Sequence, residues 1–161
     1  SEIGQAQARA LVKKLNRLDL GPLFSSPYRR AIDTLAPFAA ATSQPITLLP
    51  DLRERLLSPN PLPDWQDHIR ASFDNAHHAP EGGESHADLL KRWSDALSII
   101  GKAAGRPAFA THGGMTAALL HAQDPTFGFE GWASLRNPDL FEVEITQGQL
   151  TAVRNLTLEE L

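Results

Sequence analysis

Cysteine is absent from the 161 residues of this chain. The absence excludes disulfide scaffolds, cysteine-based zinc sites and a thiolate nucleophile. No run approaches the roughly 20 consecutive apolar residues that a membrane span requires. A basic and apolar leader is also lacking at the first residues, so nothing marks the chain for export, and we expect a cytoplasmic protein with no membrane partner.

Positive charge is not in excess either. Fifteen Lys and Arg residues stand against nineteen Asp and Glu residues, which gives a formal net charge of −4. This balance argues against nucleic-acid binding, which needs a basic face, but it leaves room for a local cationic pocket. Apolar residues at 42% and charged residues at 21% are typical of a folded domain. The length predicts a single domain over residues 1–161.

Helical patterns and short apolar runs alternate along the chain. We expect helices near residues 1–18, 28–39, 64–75, 85–102 and 115–122, and strands near 23–26, 46–49, 107–111, 140–145 and 150–154. This alternation predicts an α/β fold with three α/β/α layers and a mainly parallel sheet. The last two strands predict an antiparallel C-terminal edge, with a turn at Gln147-Gly148.

Prolines and glycines set further boundaries. Gly21-Pro22 is expected to end the first helix, and Pro37 to kink the second helix or mark its boundary. Ser85 and Asp88 resemble a capping box at the start of a helix. Residues 56–83 contain four prolines and Gly82-Gly83, and we expect them to form a lid-like insertion over a face of the sheet.

Two junctions between a strand and a helix carry unusual chemistry. Arg29 and Arg30 fall in the first turn of a helix, where free N–H groups already carry partial positive charge. A bound anion would turn this unfavourable arrangement into a binding site, whereas solvated surface arginines are the alternative. At the second junction, His112 ends a strand and Gly113 lets an anion approach the helix N–H groups, unless the histidine is simply hydrogen-bonded in the core.

A third segment places Glu54 between two arginines. It is either a general acid or base beside an anion pocket, or part of a solvated ion-pair cluster. Glu84 precedes a helix, and we expect it to favour the helix start rather than to contact the pocket. The remaining histidines lack the spacing of an HExxH zinc site, so we expect no metal.

Five short segments occur in one order and with compatible spacing, and they resemble motifs of the histidine phosphatase superfamily, in its phosphoglycerate-mutase-like branch. The segments are residues 1–8, 25–34, 52–55, 83–85 and 111–114. The resemblance implies transfer of a phosphoryl group through a phosphohistidine, without a cofactor. It implies that Arg30 binds phosphate, that His112 stabilises the transferred group and that Gly113 admits the anion. Glu54 would donate the proton to the leaving oxygen and then activate water.

The family's R-H-G motif, which would supply the nucleophilic histidine, does not occur in the 161 residues. We therefore expect a strand with this motif upstream of Ser1. The resemblance favours a metal-independent phosphatase for small phosphorylated metabolites. A cofactor-dependent phosphoglycerate mutase and a non-catalytic phosphate-binding domain remain open. A homodimer is a further option, with Phe129 and Trp132 as interface residues.

Overall fold

The computed structural model describes residues 1–146 and 149–156 of the chain. In these residues six helices and five strands follow one another in the predicted order, with one helix more than the sequence pattern predicts. The helices are α1 (Glu2–Leu15), α2 (Arg29–Thr42), α3 (Trp65–Asp74), α4 (His86–Ile100), α5 (Gly113–Gln123) and α6 (Phe129–Ala133). The strands are β1 (Leu23–Ser25), β2 (Ile46–Leu48), β3 (Ala108–Ala110), β4 (Phe141–Thr146) and β5 (Gln149–Asn155).

The three short central strands form a parallel sheet in the order β2-β1-β3. Successive side chains of a strand point to opposite faces, so each face needs its own helical cover. Leu23 lies in a core that α1 and α2 help to form, whereas Phe24 lies in a core with residues of α4 and α5. The predicted α/β class and its three layers are thereby confirmed.

The C-terminal hairpin is antiparallel, as expected, and pairs β4 with β5. In the described residues these two strands form a sheet of their own and do not hydrogen-bond to the parallel sheet. The predicted turn at Gln147-Gly148 lies outside the described residues. A cavity of about 1090 Å³ is lined by residues of α1, α2, β3 and β4. Within the described part of the chain, the edge of β3 away from β1 has no partner strand.

Helix ends follow local hydrogen bonding. The side chain of Ser1 accepts a hydrogen bond from the N–H of Gly4 and caps α1. The capping box of α4 is confirmed, because Ser85 and Asp88 each accept a hydrogen bond from the other's backbone N–H. Such caps satisfy N–H groups that have no partner inside the helix.

One predicted boundary is wrong, and of the two effects predicted for Pro37, a kink or a boundary, the boundary does not occur. Helix α1 ends at Leu15 rather than near Gly21, and the chain continues in turns through Leu18. Helix α2 runs through Pro37 without a boundary, although proline removes one backbone donor. The apolar face of α2 is buried on both sides of this position, at Leu35 and Phe38, and this burial outweighs the lost bond.

Residues 56–83 contain one helix, α3, which packs against α6, an element that the sequence pattern did not predict. The rings of Trp65 and Trp132 meet edge to face at 6.0 Å, and the guanidinium of Arg70 lies 3.7 Å from the centre of the Phe129 ring. These contacts hold α3 against α6, and side chains of both helices line one cavity together with residues of α5. In the described residues, no helix has the length and apolar character needed to cross a lipid bilayer.

Candidate active site

The parallel register places the ends of β1 and β3 side by side. The N–H of Ser26 donates to the carbonyl of Ala110 at 3.0 Å, so the residues that follow both strands are neighbours. The Ser26 hydroxyl lies 2.7 Å from Nε2 of His112, and Nε of Arg30 donates to Nδ1 of the same ring at 3.1 Å. The structure thus brings together Arg30 and His112, which are 82 positions apart in the chain.

These contacts fix the state of the His112 ring. Because Arg30 donates to Nδ1, that nitrogen carries a lone pair, and the proton is on Nε2, which donates to Ser26. Burial, together with the positive charges of Arg30 and Arg92, lowers the pKa of His112 to about 4. The ring is therefore neutral at pH 7, and an anion bound at this point would favour its protonation.

Two further groups surround the ring. Tyr28 lies at the mouth of the site, with its ring centre 5.2 Å from that of His112 and 5.0 Å from the guanidinium carbon of Arg30. Gly113 is the first residue of α5, and a Cβ atom added to it would meet no atom within 4 Å. The start of α5 is therefore open on the side of Gly113, as the approach of an anion to its N–H groups requires.

Glu54 reaches the site from the other side. A short 3-10 turn over Pro50–Leu52 follows β2 and leads the chain to Glu54. Its Oε1 accepts hydrogen bonds from the N–H groups of Arg55 at 2.8 Å and Gly114 at 3.1 Å. Glu54 is thus hydrogen-bonded to the first turn of α5, two residues beyond His112. It does not form an ion pair with the side chains of the two arginines beside it in the sequence.

The surroundings of Glu54 favour its protonated form. Burial raises the pKa of this carboxyl, and the two N–H bonds and the charges of Arg30 and Arg92 offset this effect only in part. A raised pKa makes the protonated carboxyl easier to retain before it gives its proton away, which suits general acid and base chemistry.

Glu84 does more than precede α4, although it lines neither of the two cavities that Glu54 lines. Its carboxylate accepts hydrogen bonds from Arg53 at 2.8 Å, from the N–H of Leu56 at 2.9 Å and from Arg92 at 2.8 and 2.9 Å. Burial alone would raise the pKa of Glu84, but the hydrogen bonds from Arg92 and Leu56 and the nearby charges of Arg92 and Arg53 hold it below its usual value.

Sequence reasoning missed Ser26 and Tyr28 beside the His112 ring, and it also missed Arg92. Its guanidinium also donates to the carbonyl oxygens of Asp51 at 2.7 Å and Arg53 at 3.0 Å, and thereby fixes the segment that carries Glu54. A signal was available: Arg92 stands in the apolar stripe of α4, between Leu89 and Trp93, where a charged residue needs a buried partner.

Gly114 leaves no room for a side chain. A Cβ atom at this position would lie 2.6 Å from Oε1 of Glu54 and 3.1 Å from Cβ of Arg55. We expect Gly114→Ala to lower the free energy of unfolding by about 1–3 kcal/mol, the usual effect of overpacking. Urea unfolding measures the change. Gly128→Ala is the matched control, because its Cβ atom would meet nothing within 4 Å; equal effects of the two substitutions would contradict the close packing at Gly114.

Metal-ligating side chains do not gather in the described part of the chain: residues 1–146 and 149–156 contain no group of three or more that could hold an ion. The polar groups of the site are instead one imidazole (His112), one carboxyl (Glu54) and hydrogen-bond donors such as the guanidinium of Arg30. This set suits a phosphoryl or carboxyl oxygen better than a cation.

Comparison with known proteins identifies the family of the chain. The family model of the histidine phosphatase superfamily (branch 1) matches residues 1–156. Glucosyl-3-phosphoglycerate phosphatase of Mycolicibacterium vanbaalenii is 32% identical, and the match covers 76% of this chain and 61% of that protein. The chain therefore spans about three fifths of the length of this curated relative.

Solved structures show the same fold. Mycobacterial glucosyl-3-phosphoglycerate phosphatase with inorganic phosphate has a TM-score of 0.74 at 24% identity, with 96% of this chain and 84% of that chain covered. The mycobacterial enzyme in complex with VO3 has a TM-score of 0.65 at 28% identity, with 84% and 74% covered. Since the family model matches nearly the whole described chain, this protein belongs to the histidine phosphatase superfamily, branch 1.

Proposed function

We propose that the protein hydrolyses small phosphomonoesters, without a metal, through a phosphohistidine intermediate. The observation that carries the proposal is the meeting of Arg30, His112 and Glu54 at the carboxyl ends of parallel strands. Relatives with phosphatase names and a neighbouring structure with bound phosphate support it. The guanidinium of Arg30 and the imidazole of His112 bind the phosphoryl oxygens and stabilise the charge in the transition state.

The reaction has two steps. A histidine nitrogen attacks phosphorus, the bond to the ester oxygen breaks, and Glu54 gives its proton to that oxygen. Glu54 is then ionised and takes a proton from water, whose oxygen attacks the phosphohistidine. This second attack releases inorganic phosphate and restores both groups. The raised pKa of Glu54 supports its alternation between acid and base.

The attacking histidine is proposed to lie on a segment of the protein N-terminal to Ser1. The cavity beside β3 supports this placement, because it is lined by Ala108 and Phe109 of β3 and by Phe141 and Val143 of β4. Both strands have one edge without a partner among the described residues. An extended segment in this cavity would pair with such an edge and would end next to His112.

The decisive assay uses the full-length protein with p-nitrophenyl phosphate in the presence of EDTA. Turnover together with an acid-labile phosphohistidine, trapped by rapid quenching, is the expected result. Tight binding of inorganic phosphate without any turnover would overturn the proposal in favour of a phosphate-binding domain. Isomerisation of 3-phosphoglycerate that depends on 2,3-bisphosphoglycerate and exceeds hydrolysis would overturn it in favour of a mutase.

His112→Ala tests the proposed role of this ring. We expect turnover of p-nitrophenyl phosphate to fall at least about tenfold, which corresponds to a loss of about 1.4 kcal/mol of transition-state stabilisation. Steady-state kinetics of the full-length protein measure the change. His77→Ala is the control, since His77 is exposed on the segment before α4. A His112→Ala enzyme as fast as the control would refute the role.

A further inference from the structure

A second and smaller cavity, of about 110 Å³, lies next to Glu54. Glu54, Gly114 and Trp132 line both this cavity and the larger one that contains Arg30 and His112. Glu54 therefore stands where the two cavities meet. In the proposed reaction the ester oxygen must lie against Glu54, so the carbon atoms of the leaving group extend from this point.

The other walls of the small cavity are mostly apolar. They come from residues 56–83, from α5 and from α6, and include Leu57, Ile69, Phe73, Ala117 and Trp132. Two packed elements, α3 and α6, hold these side chains in place, because Trp65 and Trp132 pack edge to face between them. Such a surface stabilises a ligand by removing apolar area from water.

The basic groups at this cavity are either hydrogen-bonded to the protein or neutral. Nε and Nη1 of Arg55 donate to the carbonyl of Glu84 and to the hydroxyl of Ser72, both at 2.8 Å. His86 is 3% exposed, and its Nδ1 has no hydrogen-bond partner. Burial and the charges of Arg55 and His121 lower the pKa of His86 to about 4, so this ring is neutral at pH 7.

We propose that the small cavity binds the leaving group of the substrate and selects a compact apolar group over an anionic one. The inference rests on the proposed phosphatase function and names its substrate class: monophosphates of short alkyl alcohols or of equally small apolar alcohols. A carboxylate or second phosphate on the leaving group would lose its water here without gaining a free cation.

The volume sets the size of the group. A cavity of roughly 150 Å³ accepts benzene. At about 110 Å³ the present cavity has room for a short branched chain of about five carbon atoms. A larger leaving group such as p-nitrophenol would extend from Glu54 into the larger cavity, which Glu54 also lines. Each methylene that enters should increase affinity about fourfold, until the cavity is full.

Alkylphosphonates test the proposal, because they bear the phosphoryl charge but cannot be hydrolysed. Calorimetry on the full-length protein would compare methyl-, propyl- and 3-methylbutylphosphonate with 2-carboxyethylphosphonate. We expect affinity to rise along the alkyl series, by at least about tenfold from first to last, and the carboxylate to bind more weakly than propylphosphonate. A flat series, or tighter binding of the carboxylate, would overturn the inference.

Two variants show where the alkyl chain lies. Ile69→Phe fills the cavity, so it should abolish the rise in affinity along the alkylphosphonate series without lowering the affinity for methylphosphonate. Asp67→Phe lies on the exposed face of α3 and should leave the rise in affinity unchanged. A rise that survives Ile69→Phe would contradict the inference. Inorganic phosphate binding and p-nitrophenyl phosphate turnover are measured in the same preparation. If the protein binds phosphate and turns over p-nitrophenyl phosphate but its affinity does not rise along the alkylphosphonate series, the inference alone is refuted. If phosphate binding and turnover are both absent, the proposed function and the inference fail together.

Discussion

Glu54→Gln is expected to lower kcat for p-nitrophenyl phosphate at least about 100-fold and to leave the affinity for inorganic phosphate nearly unchanged. General acid and base catalysis typically contributes 10²- to 10⁴-fold, and the amide can neither donate an acidic proton nor accept one. The substitution preserves shape, because the side-chain oxygen of glutamine can still accept the N–H groups of Arg55 and Gly114. Steady-state kinetics and phosphate titration separate the two effects.

The pH dependence provides a second measure of the same substitution. Burial raises the pKa of Glu54, so activity that needs its protonated form should fall as the pH rises through this raised pKa. The Glu54→Gln enzyme should lack that alkaline limb.

Folding is linked to the same proton, which the folded state binds more tightly than the unfolded chain. The wild-type protein should therefore lose stability relative to Glu54→Gln as the pH rises through that pKa.

Glu81→Gln is the matched control, because Glu81 is an exposed carboxyl on the 56–83 segment. It should change neither kcat nor the pH profile. If Glu54→Gln retained more than about a third of wild-type kcat, or kept the alkaline limb, another group would have to be the proton donor.

Arg92→Met is expected to lower the free energy of unfolding by about 3–5 kcal/mol, which is typical when one partner of a buried ion pair is removed. The side chains of Arg92 and Glu84 are only 8% and 15% exposed, and methionine offers no donor to the Glu84 carboxylate or to the carbonyl oxygens of Asp51 and Arg53. Urea unfolding at pH 7 measures the change. Turnover should fall as well, because the segment that carries Glu54 loses its anchor.

Arg53→Met is the matched control for this stability effect. Arg53 also binds Glu84, but its side chain is 38% exposed, so its loss should lower the free energy of unfolding by less than about 1 kcal/mol. The double variant Arg92→Met with Glu84→Gln should be less destabilised than the sum of the single variants, since it leaves no unpaired charge. An Arg92→Met protein as stable as Arg53→Met would contradict the role of Arg92.

The local elements could be predicted because each depends on residues close in sequence. Short apolar runs predict the strands around Phe24 and Phe109, and the pair Ser85 and Asp88 predicts the start of α4. Pro37 shows the limit of this reasoning. A local rule ends a helix at proline, but burial of Leu35 and Phe38 against the sheet keeps α2 continuous.

The site could be predicted only as a set of residues. Arg30, Glu54 and His112 follow predicted strands, and charged or imidazole side chains at such positions are expected to point toward the crevice of a parallel sheet. Their partners were beyond prediction. No local pattern shows that Glu54 accepts from Gly114, 60 positions away, or that Arg92 and Glu84 hold the Glu54 segment.

The sequence by itself determined the α/β class, the order of the elements and the residue types that follow each strand, because these depend on periodicity and on short spacings. Only the tertiary structure decided that Arg30 donates to a neutral His112, that burial raises the pKa of Glu54, and that an apolar cavity adjoins it. Hydrogen-bond partners, burial and cavity shape arise between segments that are far apart in the chain, so they exist only after the chain has packed.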